Sequence, residues 1–158
     1  MKHPIESIVW KSPHDLNAND YNPNHVISKE MKLLELSIKK SGWVQAILIT
    51  EEDVIIDGFH RVTIARVNNW KVPCAVLQMS EAERIMLTIR INRAKGTHVA
   101  LKMASIMKHL VNDLGVPKSK ICEGIGCDKS EVELLLLEDV FEKEDIKSHQ
   151  YSNAWYPK

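Results

Sequence analysis

The sequence contains few cysteines and no pairing pattern among them. Its 158 residues include three cysteines, at positions 74, 122 and 127, and none of them forms a C-x-x-C pair. An odd number of scattered cysteines suggests neither a disulfide framework nor a zinc site. We therefore expect a reducing, cytoplasmic setting.

Long apolar stretches are also missing. No run approaches the roughly 20 apolar residues that span a bilayer. The opening segment "MKHPIESIVW" lacks the apolar core of a secretory signal peptide. The sequence thus predicts a protein without a membrane association.

The chain has no net charge, but its charges are unevenly placed. Lysine and arginine number 21, as do aspartate and glutamate. Residues 79–116 nevertheless hold six basic and three acidic residues. If the protein binds nucleic acid or nucleotide phosphates, this basic middle segment is the place to look.

What is present fits an ordinary globular protein. Hydrophobic residues make up 44% and charged residues 27% of the chain. Such a composition excludes intrinsic disorder as the dominant state. The length allows one well-buried core, or a small α/β domain followed by a helical appendage.

Strand and helix patterns alternate through the first part of the chain. Runs rich in β-branched residues predict an edge strand, two strands forming a hairpin or lying side by side, and a further strand, at residues 5–10, 44–50, 54–57 and 72–79. Helical spacing and capping residues predict three helices, at residues 29–42, 58–70 and 82–96. Ser80 and Glu83 form a predicted capping box before the last of these helices.

From Thr97 onward the pattern is wholly helical. Residues 98–115 carry an apolar stripe, and residues 118–139 have the outline of a helix-turn-helix with a tight turn at "GIGCD". We place a domain boundary near residue 79 or 97, and take residues 1–97 and 98–158 as the two predicted domains. The aromatic ending "HQYSNAWYPK" is predicted to fold back on its domain or to dock to a partner.

The motif "DGFHR" places polar side chains between a strand and a helix. A helix start offers free backbone N–H groups and the positive end of a dipole, which suit a phosphate. Gly58 would let the backbone approach the anion, Arg61 would bind phosphate oxygens, and His60 could donate or carry a proton. Asp57 could orient a neighbour, bind a metal or take a proton. An ordinary Asp cap followed by exposed His and Arg side chains explains the spacing equally well.

A second polar cluster closes the helix predicted to end at Gly96. The segment "INRAKGTH" provides five candidate ligands, namely Asn92, Arg93, Lys95, Thr97 and His98. A solvated C-terminal turn, in which basic residues complement the helix dipole, is the competing explanation. Two such clusters in one small protein favour a shared anionic ligand.

Two further segments are ambiguous. The loop "NANDYNPN" contains Asp20, whose carboxylate could take part in chemistry, although a surface loop explains it equally well. In the predicted helix-turn-helix, Lys118, Lys120 and Lys129 favour contact with duplex DNA. The acidic residues of its second helix oppose that contact and favour a packing or protein-binding role.

Taken in order, several motifs resemble the ParB/sulfiredoxin-like superfamily. "GWVQAILIT" is similar to the family's G-x-x-Q-P-I run, and "DGFHRVTIA" resembles its G-x-H-R box. "INRAKGTH" stands where ParB has its E-N-x-Q-R box and matches through Asn92 and Arg93. Among members of the superfamily, small phage- and prophage-type proteins such as the IbrB-like co-activators look most similar.

The resemblance implies an α+β fold: a small mixed sheet with flanking helices, followed by a helical, helix-turn-helix-like domain. It also implies a nucleotide pocket, which holds CTP in ParB and ATP or ADP in other members. By similarity to the free serine kinases, the matching positions are Asp57, His60, Arg61 and Asp20. We take Asp57, His60 and Asp20 as the catalytic candidates and Asp57 as the candidate ligand of Mg²⁺. A reductase-like partner of the phosphoadenosine-phosphosulfate type and a homodimer are further implications.

Departures from the family motifs narrow the chemistry. Phe59 occupies the position of the catalytic cysteine of sulfiredoxin, which argues against sulfinic acid reduction. The second arginine-rich box is altered, which weakens the expectation of CTP in particular.

We therefore expect a nucleotide-binding protein that hydrolyses an NTP or transfers a phosphoryl group. The alternative is a non-enzymatic, DNA-associated transcriptional co-regulator or partition-type protein that uses nucleotide as a switch. A nuclease finds little support because no cluster of metal-binding carboxylates is visible.

Overall fold

The computed structural model describes residues 3–18, 28–95, 98–137 and 150–151. The chain divides into two compact units, residues 1–79 and 80–158. The predicted domain division after residue 97 stays a prediction. None of the described helices is long and apolar enough to cross a membrane.

The first unit is built on a small mixed sheet. Its strands are β1 (Ile8–Lys11), β2 (Ile47–Thr50), β3 (Ile55–Asp57) and β4 (Val72–Leu77), in the order β1-β4-β2-β3. β2 and β4 run parallel, with Leu48 opposite Ala75, and the two outer pairings are antiparallel. The predicted hairpin is thus confirmed as β2 and β3, and the predicted edge strand as β1.

Two helices accompany this sheet, α1 (Ser28–Ser41) and α2 (Phe59–Asn68). The strand and helix faces meet in one apolar core, in which Val62, Ala65 and Cys74 have no exposed surface. Trp43 and Trp70 pack against it from the ends of their elements. Val62 and Ala65 are three residues apart, a spacing that places them on one face of α2.

The second unit is mainly helical. It contains α3 (Glu81–Lys95), α4 (Ala100–Lys108), a π-helical turn (His109–Asp113), α5 (Lys118–Ile125) and α6 (Lys129–Leu136). The predicted capping box begins α3, because the Ser80 backbone N–H and hydroxyl both donate to Glu83 Oε2, at 2.8 and 2.7 Å. Its core includes fully buried side chains from four helices and the π-turn, among them Ile85, Met107, Leu110, Ile121 and Val132.

The prediction that the chain is wholly helical after Thr97 is wrong at two short segments. β5 (His98–Val99) pairs antiparallel with β6 (Gln150–Tyr151). The two strands are separated by about 50 residues of sequence, so local periodicity contains no signal for them. Trp155 and Tyr156 of the aromatic ending lie outside the described residues. The α+β fold with a helix-turn-helix-like second part is confirmed.

Candidate functional site

The junction between β3 and α2 carries the first predicted cluster. Asp57 is the last residue of β3, and Gly58 is the N-cap of α2 with φ 103° and ψ 16°. The Gly58 carbonyl accepts the first helical bond, from the Val62 N–H at 2.9 Å. Gly58 has no side chain that could cap the helix, and the first turn of α2 contains no acidic residue. This helix start therefore keeps the polarity that favours an anion.

Glycine is required at position 58 for two reasons. Its positive φ is a conformation that residues with a Cβ rarely adopt. In addition, a Cβ at this position would lie 2.7 Å from Ile47 Cδ1 and 3.2 Å from Arg61 Nη2. The space that a side chain would fill is thus taken by a core residue and by the Arg61 guanidinium.

Arg61 is a buried connector. Its Nη1 donates to the carbonyl oxygens of Gln45 and Ala46, both at 3.1 Å, and its Nη2 donates to Asp57 Oδ2 at 3.0 Å. Three of the five N–H donors of the guanidinium are thereby used within the first unit. Arg61 joins the segment before β2, the end of β3 and the first turn of α2.

The ion pair between Arg61 and Asp57 lies in a largely desolvated place. Their side chains are 11% and 18% exposed. Burial lowers the pKa of Arg61 below its ordinary value, and the Asp57 carboxylate opposes that shift. The pair neutralises itself locally, so the net positive field at this helix start comes from the backbone rather than from Arg61 alone.

His60 follows in the first turn of α2. Its side chain is half-buried, and its ring meets that of Phe59 edge to face with centroids 5.9 Å apart. Phe59 in turn packs against the apolar core. His60 is thus held beside the helix start on an aromatic support.

Arg66 makes two contacts with distant backbone carbonyls that the sequence analysis did not predict. Its Nε donates to the Pro13 carbonyl at 2.9 Å, and its Nη2 donates to the Leu16 carbonyl. Leu16 is buried in the core, and Asn17 pairs with the segment before β3 in an isolated bridge to Val54. These contacts fasten the segment from which the loop containing Asp20 departs.

Asp20 itself lies outside the described residues, as does Thr97. In the second predicted cluster, Asn92 is a buried residue of α3, at 6% exposure. Arg93 and Lys95 lie in the last turn of α3, and His98 begins β5. The side chains of these three residues are not among those described.

The predicted helix-turn-helix is confirmed as α5, a tight turn and α6. Lys118 and Lys120 lie in the first turn of α5 and Lys129 begins α6, and all three side chains are exposed. Glu133 is also exposed on α6. The structure therefore presents both the basic residues that favour DNA and an acidic residue that opposes it.

A preformed protein-only metal centre is not found in the part of the chain that the structure describes. There, no three His, Cys, Asp or Glu side chains group closely enough to hold a metal ion. Mg²⁺ is commonly held by one or two carboxylates together with substrate phosphates. A single carboxylate such as Asp57 fits that pattern only with a bound nucleotide.

Comparison with known proteins places the chain in a family. It is 35% identical over 166 aligned positions to "Uncharacterized protein YbdM" of Escherichia coli (strain K12), an alignment that covers 98% of this chain and 78% of that protein. The chain belongs to the YbdM family. No protein-family model matches the sequence.

Solved structures with a similar fold are ParB proteins. The chain resembles the C-terminally truncated chromosome-partitioning protein ParB from Caulobacter crescentus complexed with CTP-γ-S (TM-score 0.51, 22% identity, covering 87% of this chain and 83% of that one). It also resembles the same protein complexed to the centromeric parS site (TM-score 0.56, 20% identity, 85% and 75% covered).

A third similar structure is a Pnob8-like ParB-N domain (TM-score 0.56, 9% identity, 90% of this chain and 75% of that chain covered). At these levels of identity, the likeness establishes that this YbdM family member has the ParB N-terminal type of fold.

Proposed function

We propose that this protein is a nucleotide-binding protein of the ParB type and that the first turn of α2 holds the phosphates. The observation that carries the proposal is the start of α2. The helix begins at a glycine with φ 103°, which has no side chain to cap it, and its first turn contains no acidic residue. Backbone N–H groups in this arrangement are suited to an anion.

The fold likeness supports a nucleotide as that anion. A ParB structure of the same fold contains CTP-γ-S. CTP, ATP or another NTP or NDP, accompanied by Mg²⁺ at Asp57, are the ligands to compare. Because the Arg61 guanidinium already serves two carbonyl oxygens and a carboxylate, we propose that it orients the turn that binds the phosphates.

The remaining contacts are assigned by proposal. His60 would donate to a phosphate oxygen from the first turn of α2. The cluster at the end of α3, namely Asn92, Arg93, Lys95, Thr97 and His98, is by itself a second candidate set of phosphate ligands. Phosphate binding needs chiefly positioning and charge neutralisation, which such a set provides.

Calorimetric titration with CTP, ATP, ADP and GTP plus Mg²⁺ tests the proposal. We expect binding by the wild type and at least about ten-fold weaker binding by His60→Ala, the loss that follows from removing one charge-assisted hydrogen bond. Lys71→Ala is the matched control, because Lys71 is an exposed basic residue of the same unit beyond the other end of α2. A folded wild type that binds none of the four nucleotides contradicts the proposal.

Phosphoryl transfer or NTP hydrolysis is the finer proposal for the same site. Asp20 or Asp57 would accept the proton of water or of a small hydroxyl compound such as serine, with His60 as a second candidate proton carrier. Phosphate release and phosphoserine formation measure the two reactions. Asp20→Asn should abolish turnover while nucleotide affinity stays within about two-fold of the wild type. Binding without turnover would leave nucleotide as a switch.

A DNA-associated regulator is the second candidate function. The specific observation is the α5-turn-α6 unit with exposed Lys118, Lys120 and Lys129, in a fold for which a ParB structure contains the parS site. A gel shift on duplex DNA from about 50 to 200 mM salt should show binding that weakens steeply with salt. The variant with all three lysines changed to alanine should flatten that salt dependence. No shift at the lowest salt argues against this function.

The partners implied by the family resemblance complete the proposal. They are a second copy of the chain and a reductase-like protein of the phosphoadenosine-phosphosulfate type, as beside the IbrB-like co-activators. Light scattering with and without nucleotide tests the homodimer. Coexpression and copurification with the neighbouring reductase-like protein, where the gene neighbourhood provides one, tests the heteromeric contact.

A further inference from the structure

Two cysteines flank the turn between α5 and α6, and neither forms a disulfide. Cys122 lies in the last turns of α5, and Cys127 lies one residue before Asp128, the N-cap of α6. Both side chains are partly exposed to solvent. Neither residue is buried as Cys74 is, so both are candidates for reaction with a reagent in solution.

The turn places these two residues next to each other. Gly126 ends α5 in the left-handed conformation, with φ 72°. The Cys122 carbonyl oxygen accepts from the Gly126 N–H at 2.9 Å and from the Cys127 N–H at 3.2 Å. The second of these bonds is the one that defines the Schellman ending of a helix, in which the side chains at the two bonded positions characteristically contact each other.

The backbone bond limits how far apart the two Cα atoms can be. A straight path from the Cys122 Cα through its carbonyl oxygen to the nitrogen and Cα of Cys127 would measure about 7 Å, given standard bond lengths and the 3.2 Å bond. The path bends at each atom, so the true separation is shorter. Disulfides join Cα atoms that are about 4.4–6.8 Å apart.

The third cysteine provides an internal contrast. Cys74 has no exposed surface, and burial raises the pKa of its thiol to about 11. The thiolate is the reactive form of cysteine. Burial and protonation therefore both protect the Cys74 thiol from oxidation, whereas Cys122 and Cys127 are partly exposed.

We propose that Cys122 and Cys127 form a reversible disulfide with each other. The oxidant is a low-molecular-weight disulfide such as glutathione disulfide. One thiol loses its proton and its thiolate attacks a sulfur of the oxidant, which releases one glutathione thiolate and leaves a mixed disulfide. The other cysteine loses its proton and its thiolate attacks the protein sulfur of that mixed disulfide, which releases the second glutathione thiolate. The chain loses two hydrogens, and the oxidant is reduced to two thiols.

The bond would tie the end of α5 to the residue before the N-cap of α6. The closed ring contains only residues 122–127, two of which are glycines. It thus fixes the turn of the helix-turn-helix without requiring any other element to move. The ratio of thiol to disulfide in the surrounding solution would then determine how rigid that turn is.

Mass spectrometry of the full-length chain tests the proposal directly. Trypsin releases both cysteines in one peptide, residues 121–129, and Cys74 in another, residues 72–84. After exposure of the native chain to excess glutathione disulfide and alkylation in denaturant, we expect the first peptide to be lighter by two hydrogens and unalkylated. The second peptide should be fully alkylated. Dithiothreitol should restore both thiols of the first peptide.

Single-cysteine variants separate ring closure from simple modification. Cys122→Ser and Cys127→Ser should each accumulate a stable glutathione adduct, which the wild type should not. The equilibrium constant for ring closure should be at least about ten-fold larger in the native chain than in urea, because the fold holds the two thiols at a high effective concentration.

Three results would overturn the proposal. They are a wild-type peptide that keeps both thiols in excess oxidant, a wild type that accumulates the same glutathione adduct as the variants, and a disulfide that forms only between two chains. An equal equilibrium constant in native and urea-unfolded chains would show that the turn does not preposition the pair, and would also overturn it.

Discussion

Arg61 Nη2 lies 3.0 Å from Asp57 Oδ2, one helical turn back along the chain. The same nitrogen would lie 3.2 Å from a Cβ at Gly58. The ion pair therefore depends on the glycine. Because Gly58 has no side chain, the Arg61 guanidinium has room to reach Asp57 and the carbonyl oxygens before β2. Within the "DGFHR" motif, the contacts of Arg61 thus fix the backbone at the start of α2.

Gly58→Ala should destabilise the first unit more than Gly42→Ala. Both positions have positive φ, at 103° and 72°, which costs alanine about 1–2 kcal/mol. At Gly58 the new Cβ would also collide with Ile47 Cδ1, at 2.7 Å, whereas at Gly42 no atom of the described residues lies within 4 Å of it. We expect a further loss of about 1–3 kcal/mol at Gly58 from overpacking.

Urea unfolding followed by tryptophan fluorescence measures the difference, because three of the four tryptophans lie in the first unit. Equal losses of unfolding free energy for the two variants would show that the close approach at Gly58 is relieved at no cost.

Arg61→Ala should cost about 3 kcal/mol of unfolding free energy. The substitution leaves the Asp57 carboxylate in a largely buried place and removes the donors to the Gln45 and Ala46 carbonyls. Asp57→Asn should cost less, because Arg61 keeps both carbonyl partners. In a double-mutant cycle by chemical denaturation, the pair should show a coupling of about 1–2 kcal/mol. Additive losses would mean that the ion pair contributes nothing of its own.

Arg66→Ala should loosen the segment before the Asp20 loop while leaving the sheet formed. Without the Arg66 donors, the carbonyls of Pro13 and Leu16 lose their side-chain partner. The Asn17 N–H donates to the Asp53 backbone carbonyl at 2.8 Å, and the Ile55 N–H donates to the Asn17 backbone carbonyl at 3.0 Å. These two amides therefore report on the segment.

Their hydrogen exchange should accelerate about ten-fold, as expected for the loss of about 1–1.5 kcal/mol of local stability. Val67→Ala is the matched control, since the adjacent side chain is 82% exposed. Unchanged exchange in the Arg66 variant would show that Leu16 and the bridge to Val54 suffice to hold the segment.

The second unit should lose stability as the pH rises through the pKa of His109. Its Nδ1 lies 2.7 Å from Asp113 Oδ2 and its Nε2 lies 3.5 Å from Glu81 Oε1, which Arg84 also contacts. The hydrogen bond to Asp113 raises the pKa of His109 above its ordinary value of 6.5, partly opposed by burial and assisted by Glu81.

Because the folded pKa lies above the unfolded one, this stabilisation is complete below pH 6.5 and is lost as the pH passes through the folded pKa. Melting temperatures measured across that range should fall less steeply for His109→Gln and for Asp113→Asn. A wild-type slope in the His109 variant would contradict the assignment.

Local sequence patterns predicted most of the elements correctly because each depends on neighbours in the chain. The capping box of Ser80 and Glu83 spans three residues, and both of its hydrogen bonds are present. The helix-turn-helix was predicted from the tight turn at "GIGCD", where Gly126 ends α5, and the burial of Val62 and Ala65 on one face of α2 follows from helical spacing. Such signals are contained within one or two turns of chain.

Other features depend on residues that are distant in the sequence. The strand pair β5 and β6 joins positions about 50 residues apart, and so carries no local signal. The carbonyl partners of Arg61 lie 15 and 16 residues before it, and those of Arg66 lie 50 and 53 residues before it. Sequence reasoning treated Arg61 as a cation available for phosphate and overlooked Arg66.

The sequence by itself determined where the chain turns, caps and buries its apolar faces, because backbone conformation and periodicity act between near neighbours. It also determined that an acid, a glycine, an imidazole and a guanidinium meet where β3 ends. Only the tertiary structure decided which hydrogen bonds those groups make. A guanidinium bonds to the carbonyl and carboxylate oxygens that the packed core brings within about 3 Å of it. In this protein, that packing lets Arg61 hold the start of α2 at Gly58 in place.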